Sequence, residues 1–227
     1  SSAASDVYKR QELSYFVLAD ANCYKFFGSA QDHKKVGEGD VGPNTGGMGA
    51  YSPSNLITDE LELKIKKEII EPTLKAMKDL GHPYSGFLYA GLMIREGKPY
   101  LIEYNIRMGD PECQTILPRL KSDLAVIMNS CCNGTLDKTT IEWEDKKSLC
   151  VVLCAKGYPD SFKKETEIPN LDNILVNTDD YLFHAGTKKI NDKILVNGGR
   201  VLNFVSVSDN FYDARKKVHT IIEKVNW

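Results

Sequence analysis

Alternation and helical spacing along the chain predict short strands interrupted by a few helices. LSYFVLAD (13–20) and CYKFFGSA (23–30) are aromatic-rich runs split by a short turn, the pattern of a β-hairpin. A polar, glycine-rich segment runs from Gln31 to Ser52. Thr58 then offers an N-cap, and Asp59, Glu60 and Glu62 suit the positive end of a helix. Leu61, Ile65, Ile69, Leu74 and Met77 recur near helical spacing. Gly81 and Pro83 end that helix, and Pro72 should kink it. GFLYAGLMIRE and KPYLIEYNIR, joined through Gly97, predict a second hairpin. Leu124, Ile127, Met128 and Cys131 mark another helix, capped by Ser122 and closed by Gly134.

The pattern changes after Glu142, where a nearly all-charged run to Lys147 reads as a linker or domain edge. Beyond it lie five strand-like runs, SLCVVLCA, NILVN, YLFHAGT, KILVN and RVLNFVSVS, and a final helix from Asn210 to Lys224. Two α+β units divided near residue 140 are expected. The opening SSAASDVYKRQ (1–11) has no apolar core, so it does not read as a signal peptide and is set aside as a non-native lead-in.

Composition narrows the function classes. A chain of 227 residues that is 42% hydrophobic and 26% charged should build a packed core. A net charge of -2 supplies no general attraction to nucleic acid, and no apolar run approaches the ~20 residues of a membrane span. The six cysteines (Cys23, Cys113, Cys131, Cys132, Cys150 and Cys154) include no C-x-x-C pair, which argues against a metal-thiolate site. Cys131 and Cys132 read as buried thiols of a protein in a reducing cytosol.

Two stretches carry candidate chemistry. In YLIEYNIRMGDPE (100–112), Glu103, Asn105 and Arg107 are spaced two apart, so a continuous strand would project all three from one face. A carboxylate and an amide oxygen so placed make a hard-oxygen site suited to Mg²⁺, and an arginine beside them can grip a phosphate or carboxylate with a bidentate fork. An ion pair between Glu103 and Arg107 at a sheet edge is the alternative. The other stretch is QDHKKVGEGDVGPNTGGMGAYSP (31–53). Its formal G-x-G-x-x-G at Gly37, Gly39 and Gly42 follows no buried strand, and Pro43 and Asn44 stand where a helix should begin, so a dinucleotide fold is rejected. A long glycine loop can present backbone N–H groups to an anion, or it can be a mobile surface loop.

Arg107-Met108-Gly109-Asp110-Pro111-Glu112-Cys113-Gln114 resembles the signature of the phosphoribosylamine–glycine ligase family, with Met108 the one departure. The glycine-rich stretch, SGFLYAGLMI, LKSDL (120–124), CAKGYP, FHAGT and NGGRVL are similar to that family as well, so the resemblance covers residue 12 to the end.

This resemblance implies an α+β fold: one partial lobe of an ATP-grasp domain over 12–140, then a small β-rich α+β C-terminal domain over 148–227. It implies ATP-dependent ligation of glycine to 5-phosphoribosylamine through a glycyl phosphate, an early step of purine synthesis in the cytoplasm, by an enzyme that is monomeric when complete. It implies Glu103 and Asn105 as ligands of Mg²⁺ (or Mn²⁺). Arg107 would be the catalytic residue, acting on the phosphate in flight or on the carboxylate of glycine. Lys34, Asp40, Asn44, Thr45, Gly46 and Gly47 would line the substrate and phosphate side. His33 is as readily structural, and His184 and Arg200 read as packing or surface residues. The family's N-terminal domain and other ATP-grasp lobe have no counterpart in this sequence, so the chain is expected to be a fragment, inactive alone. Another ATP-grasp ligase, or a non-catalytic Mg²⁺–phosphate-binding module, are the alternatives.

Overall fold

The computed structural model describes residues 10–39, 41–171, 174–175 and 177–227, which form two compact units. One takes the chain up to Gln31 with 53–109 and 120–144; the other takes 32–52, 110–119 and 145–227. The division after Glu144 lies near the charged run, but the glycine-rich segment and the Asp110–Arg119 segment fall in the C-terminal unit. Pairing explains this, because Gly49–Ser52 hydrogen-bonds along the strand that opens the C-terminal unit.

In the first unit, β1 (Arg10–Ala19), β2 (Tyr24–Asp32), β6 (Gly86–Arg95) and β7 (Lys98–Asn105) form antiparallel ladders in the order β7-β6-β1-β2. Alternate residues of these strands serve opposite faces. Leu13, Tyr15, Val17, Leu88, Ala90, Leu92 and Ile94 pack under the helical layer and meet its buried Leu61, Ile65, Ile69 and Ile70. Fully burying one such side chain is worth about 1.5–3 kcal/mol. The β6–β7 turn places Glu96 and Gly97 at φ of 51° and 70°, the backbone a two-residue type I′ hairpin requires.

The helix over 59–79 forms in three parts: α1 (Asp59–Ile65), a π segment (Lys66–Ile70) and α2 (Glu71–Asp79). Thr58 caps it by accepting from the Leu61 N–H at 3.2 Å. The widened turn just before Pro72 takes up the expected kink, since proline lacks the N–H that an α turn would use there. Gly81, at φ +81°, closes the helix. The helix α4 (Leu124–Cys132) is capped by Asp123, whose carboxylate accepts from Ala125 and Val126 N–H. The expected cap, Ser122, instead accepts from the Glu142 N–H at 2.8 Å. Cys131 is buried as expected, whereas Cys132 is exposed.

In the second unit, β3 (Lys35–Gly37) and β4 (Val41–Asn44) pair as a small hairpin within what the sequence presents as loop. The strands β5 (Gly49–Ser52), β8 (Lys147–Cys154), β12 (Arg200–Ser208) and β9 (Asp180–His184) are antiparallel neighbours in that order. β10 (Thr187–Ile190) pairs with β11 (Lys193–Val196). The helix α5 (Phe211–Ile222), capped by Asn210, sends Val218 and Ile221 into a core with Leu202 and Phe204. Opposite them, Val205 packs with Cys150 and Val152. A short α3 (Glu112–Ile116) follows the Asp-Pro-Glu segment. Of the predicted strand NILVN, Asn173 and Val176 lie outside the described residues, and Ile174 and Leu175 carry no strand.

Candidate functional site

The first group of candidate residues stands at the end of β7, the edge of its sheet. A bulge between Gly91 and Leu92 inserts Ile102, and Tyr100, Leu101 and Ile102 are all about half exposed, so the apolar strand is no core strand. Past the bulge the alternation resumes. Tyr104 turns to the helical layer, where its hydroxyl meets Thr73 Oγ1 at 2.6 Å and donates to the Ile69 carbonyl at 3.2 Å. Glu103 and Asn105 therefore take the other face, opposite Gly91 and Tyr89 on β6. Glycine at 91 leaves room for the carboxylate stem, because a Cβ there would lie 3.3 Å from Glu103 Cγ. Beyond them on this face the Ser14 and Tyr89 hydroxyls are hydrogen-bonded at 2.9 Å.

Asn105 Nδ2 donates to Glu103 Oε1 at 3.0 Å, which sets the two side chains next to each other. Their remaining oxygens are hard donors, and Glu103 is exposed. Among the described residues no three His, Cys, Asp or Glu cluster as a metal cage. A two-oxygen site fits a hard cation that keeps much of its water and shares phosphate oxygens, which is how Mg²⁺ is usually held. The strand ends at Asn105, so Arg107 lies in a bend rather than third in a strand row. It is exposed and its Nη1 donates to the Met108 carbonyl at 3.0 Å, while Glu103 is paired with Asn105.

The second group lies in the glycine-rich segment. Thr45 donates its N–H (2.7 Å) and its hydroxyl (2.8 Å) to the Lys34 carbonyl. Its Oγ1 also accepts from the Gly47 N–H at 3.1 Å. The Gly46 N–H donates to Tyr158 Oη at 3.1 Å. The two glycine N–H groups expected to cradle an anion are thus engaged inside the unit, whereas Asn44 is exposed. Asp40 lies outside the described residues. Gly47 has φ +117°, and a Cβ there would meet Pro111 Cδ at 2.5 Å and Asp32 Oδ1 at 2.9 Å. His33 packs its ring on Tyr51, a structural place.

Arg200 joins this turn to the Asp-Pro-Glu segment. Its Nη1 donates to the Gly46 carbonyl (2.8 Å), the Gly47 carbonyl (3.4 Å) and the Asp110 carbonyl (2.8 Å). Its Nη2 pairs with Asp110 Oδ2 at 3.0 Å, and Gln114 Nε2 holds the other Asp110 oxygen at 2.7 Å. Arg200 is therefore more than the packing or surface residue its sequence context suggests, and Tyr158, which accepts from Gly46, carries no local sequence signal of that role. The available signal was the Gly198-Gly199 pair before Arg200, since a Cβ on Gly199 would lie 2.2 Å from Tyr158 Cδ2. His184 keeps the surface role expected of it: it is exposed, with Nδ1 at 3.0 Å from Thr187 Oγ1.

Nearby thiols do not add a nucleophile. Burial, and then the charges of Asp110 and Glu112, push Cys113 up to about 11; burial pushes Cys154 up to about 11 as well. Burial raises Cys150 further, with Asp110 adding to it and Arg200 opposing it. Such thiols stay protonated and inert near neutral pH.

Residues 6–113 match the family model for the phosphoribosylglycinamide synthetase ATP-grasp (A) domain, and 148–227 match its C domain. A phosphoribosylamine–glycine ligase of Agrobacterium fabrum is 46% identical over 217 residues, 96% of this chain and 51% of that protein. One from Vigna unguiculata is 43% identical over 221 residues, 96% of this chain and 71% of the relative. The crystal structure of the Thermotoga maritima phosphoribosylamine–glycine ligase superposes with a TM-score of 0.84 at 33% identity, covering 95% of this chain and 53% of that one. A biotin carboxylase–β,γ-ATP complex from Campylobacter jejuni shares the fold alone, at TM-score 0.66 and 15% identity. The chain spans about half the length of most curated relatives it matches.

Proposed function

This chain belongs to the phosphoribosylglycinamide synthetase family, and on that premise we propose that its protein ligates glycine to 5-phosphoribosylamine at the expense of ATP. The observation that carries the reading is the Glu103–Asn105 pair, a carboxylate and an amide set side by side on an exposed strand end. These two would hold Mg²⁺ or Mn²⁺, and a bound divalent ion supplies charge neutralisation to nucleotide phosphates.

The reaction asks for positioning rather than a side-chain nucleophile. The glycine carboxylate attacks the γ-phosphorus of ATP, ADP leaves, and a glycyl phosphate forms. The amine of phosphoribosylamine then attacks the acyl carbon, loses a proton, and displaces phosphate to leave an amide. Arg107, exposed past the strand end, offers a guanidinium to the transferring phosphate or to the glycine carboxylate, a donor worth roughly 10²–10³ in rate. Lys34, Asp40 and Asn44 would serve the phosphorylated amine, with Thr45, Gly46 and Gly47 shaping the turn. The reading puts the enzyme in the cytoplasm, as a monomer.

The test follows ADP release from the full-length polypeptide containing these residues, with glycine, phosphoribosylamine and Mg²⁺, against Glu103→Ala and Asn105→Ala. ADP formation that needs both substrates and falls at least a hundredfold in both variants is expected. Undiminished ADP formation in the variants would remove the metal-site assignment, and ADP released only with another acid or amine would remove the substrates.

A further inference from the structure

Within the C-terminal unit, two side chains from distant parts of the sequence converge on one tight turn. Arg200 opens β12, and Tyr158 follows β8 in CAKGYP. Between them they engage the Gly46 N–H, the Gly46 and Gly47 carbonyls, and both the carbonyl and the carboxylate of Asp110. We propose that Arg200 and Tyr158 are positioning residues that clamp the Gly46–Gly47 turn to Asp110 and so set the affinity for the phosphorylated amine. The affinity half of this inference rests on the function proposed above; the clamp itself does not.

Three features support a clamp rather than a ligand contact. The Nη1 and Nη2 groups of Arg200 are both spent on protein oxygens, and its charge is balanced by Asp110, so little of the guanidinium is left for a substrate anion. The neighbouring backbone is shaped around the clamp. Gly46 passes so close that a Cβ would sit 3.1 Å from Arg200 Cζ, Gly47 has no room beside Pro111, and Gly199 has none beside Tyr158. The clamp also acts on the segment that bears Lys34, Asn44 and Thr45. Thr45 bridges the Lys34 carbonyl and the Gly47 N–H, so movement at Gly47 passes directly to the residues assigned to the substrate.

Arginine suits this place by its shape. Its planar fork reaches a cluster of carbonyls with one nitrogen and a carboxylate with the other, whereas lysine offers the donors of a single nitrogen and no fork. Arg200→Lys keeps the charge and removes the fork, and Tyr158→Phe removes only the acceptor for Gly46. Both would be made in the full-length polypeptide. Amide hydrogen exchange of Gly46 is the first readout, and separate KM values for ATP, glycine and phosphoribosylamine are the second.

We expect faster Gly46 exchange in both variants. KM for phosphoribosylamine should rise about 10–100-fold in Arg200→Lys and about 2–10-fold in Tyr158→Phe, as expected for losing a charged and a neutral hydrogen bond. KM for ATP and for glycine should stay within about twofold, because only one substrate meets this turn. Unchanged Gly46 exchange in both variants would overturn the clamp. Faster exchange with all three KM values rising together, or with only kcat falling, would overturn its link to the phosphorylated amine. If the unaltered protein does not use phosphoribosylamine at all, the proposed function fails, and Gly46 exchange still decides the clamp.

Discussion

Replacing Gly47 by alanine tests the packing of the turn by a difference that can be worked from the structure. Gly47 has φ +117°, a backbone region that costs a non-glycine residue about 1–3 kcal/mol. The added Cβ would sit 2.5 Å from Pro111 Cδ, 2.9 Å from Asp32 Oδ1 and 3.1 Å from the Asp110 carbonyl oxygen. A proline ring carbon and a carbonyl held by Arg200 cannot rotate aside, so overpacking adds about 1–3 kcal/mol. Together these give about 2–6 kcal/mol. Gly39 is the control, because it too has positive φ (+76°) but nothing among the described residues lies within 4 Å of its would-be Cβ. Only the left-handed backbone penalty of about 1 kcal/mol applies there. For a chain of this size each kcal/mol moves Tm by roughly 2–4 °C. Thermal unfolding followed by circular dichroism should therefore show Gly47→Ala melting about 4–24 °C below the parent and Gly39→Ala about 2–4 °C below it. Equal shifts in the two variants would refute the steric half of the reasoning and leave only the backbone term.

Two further outcomes concern the first unit. The Asp20 carboxylate is buried, which opposes ionisation, but N–H groups of Cys23, Asn22 and Leu136 at 2.8–3.1 Å outweigh this and hold its pKa below the ordinary range. A depressed pKa contributes stability that is full above the unfolded value of about 3.9 and is lost as pH falls through the lower folded value. Asp20→Asn should cost about 1–3 kcal/mol at pH 7 in urea unfolding, with the gap from the parent closing below about pH 4; a gap independent of pH would contradict this. At the start of α4, Asp123→Ala should cost about 1 kcal/mol in the same assay through loss of two capping bonds, and equal loss of helix hydrogen-exchange protection in Ser122→Ala would contradict the assignment of the cap.

Much of the local structure was legible in the sequence because its causes are local. The β1–β2 turn, the β6–β7 turn with Gly97, the Thr58 cap and the Gly81 stop each depend on residues within a few positions of one another. The pairing of Glu103 with Asn105 was legible for the same reason, since strand parity puts i and i+2 on one face. Parity failed one step further on. Arg107 leaves the row because β7 stops at Asn105, and the Ile102 bulge that locally breaks alternation is a property of the pairing with β6, not of β7 alone.

The tertiary structure decided what the glycine turn does. By itself the sequence determined that the turn is flexible enough to approach other backbone closely, and that a carboxylate and an amide stand together nearby in the chain. It could not determine that the N–H groups of Gly46 and Gly47 are already bonded, because one of their partners, Tyr158, is 112 positions away. Nor could it distinguish Arg200 from an ordinary surface arginine, since the carbonyls it grips lie 154 and 90 positions from it. Periodicity and capping report the neighbours a residue has along the chain, while a hydrogen-bond hub is made of neighbours that only folding supplies.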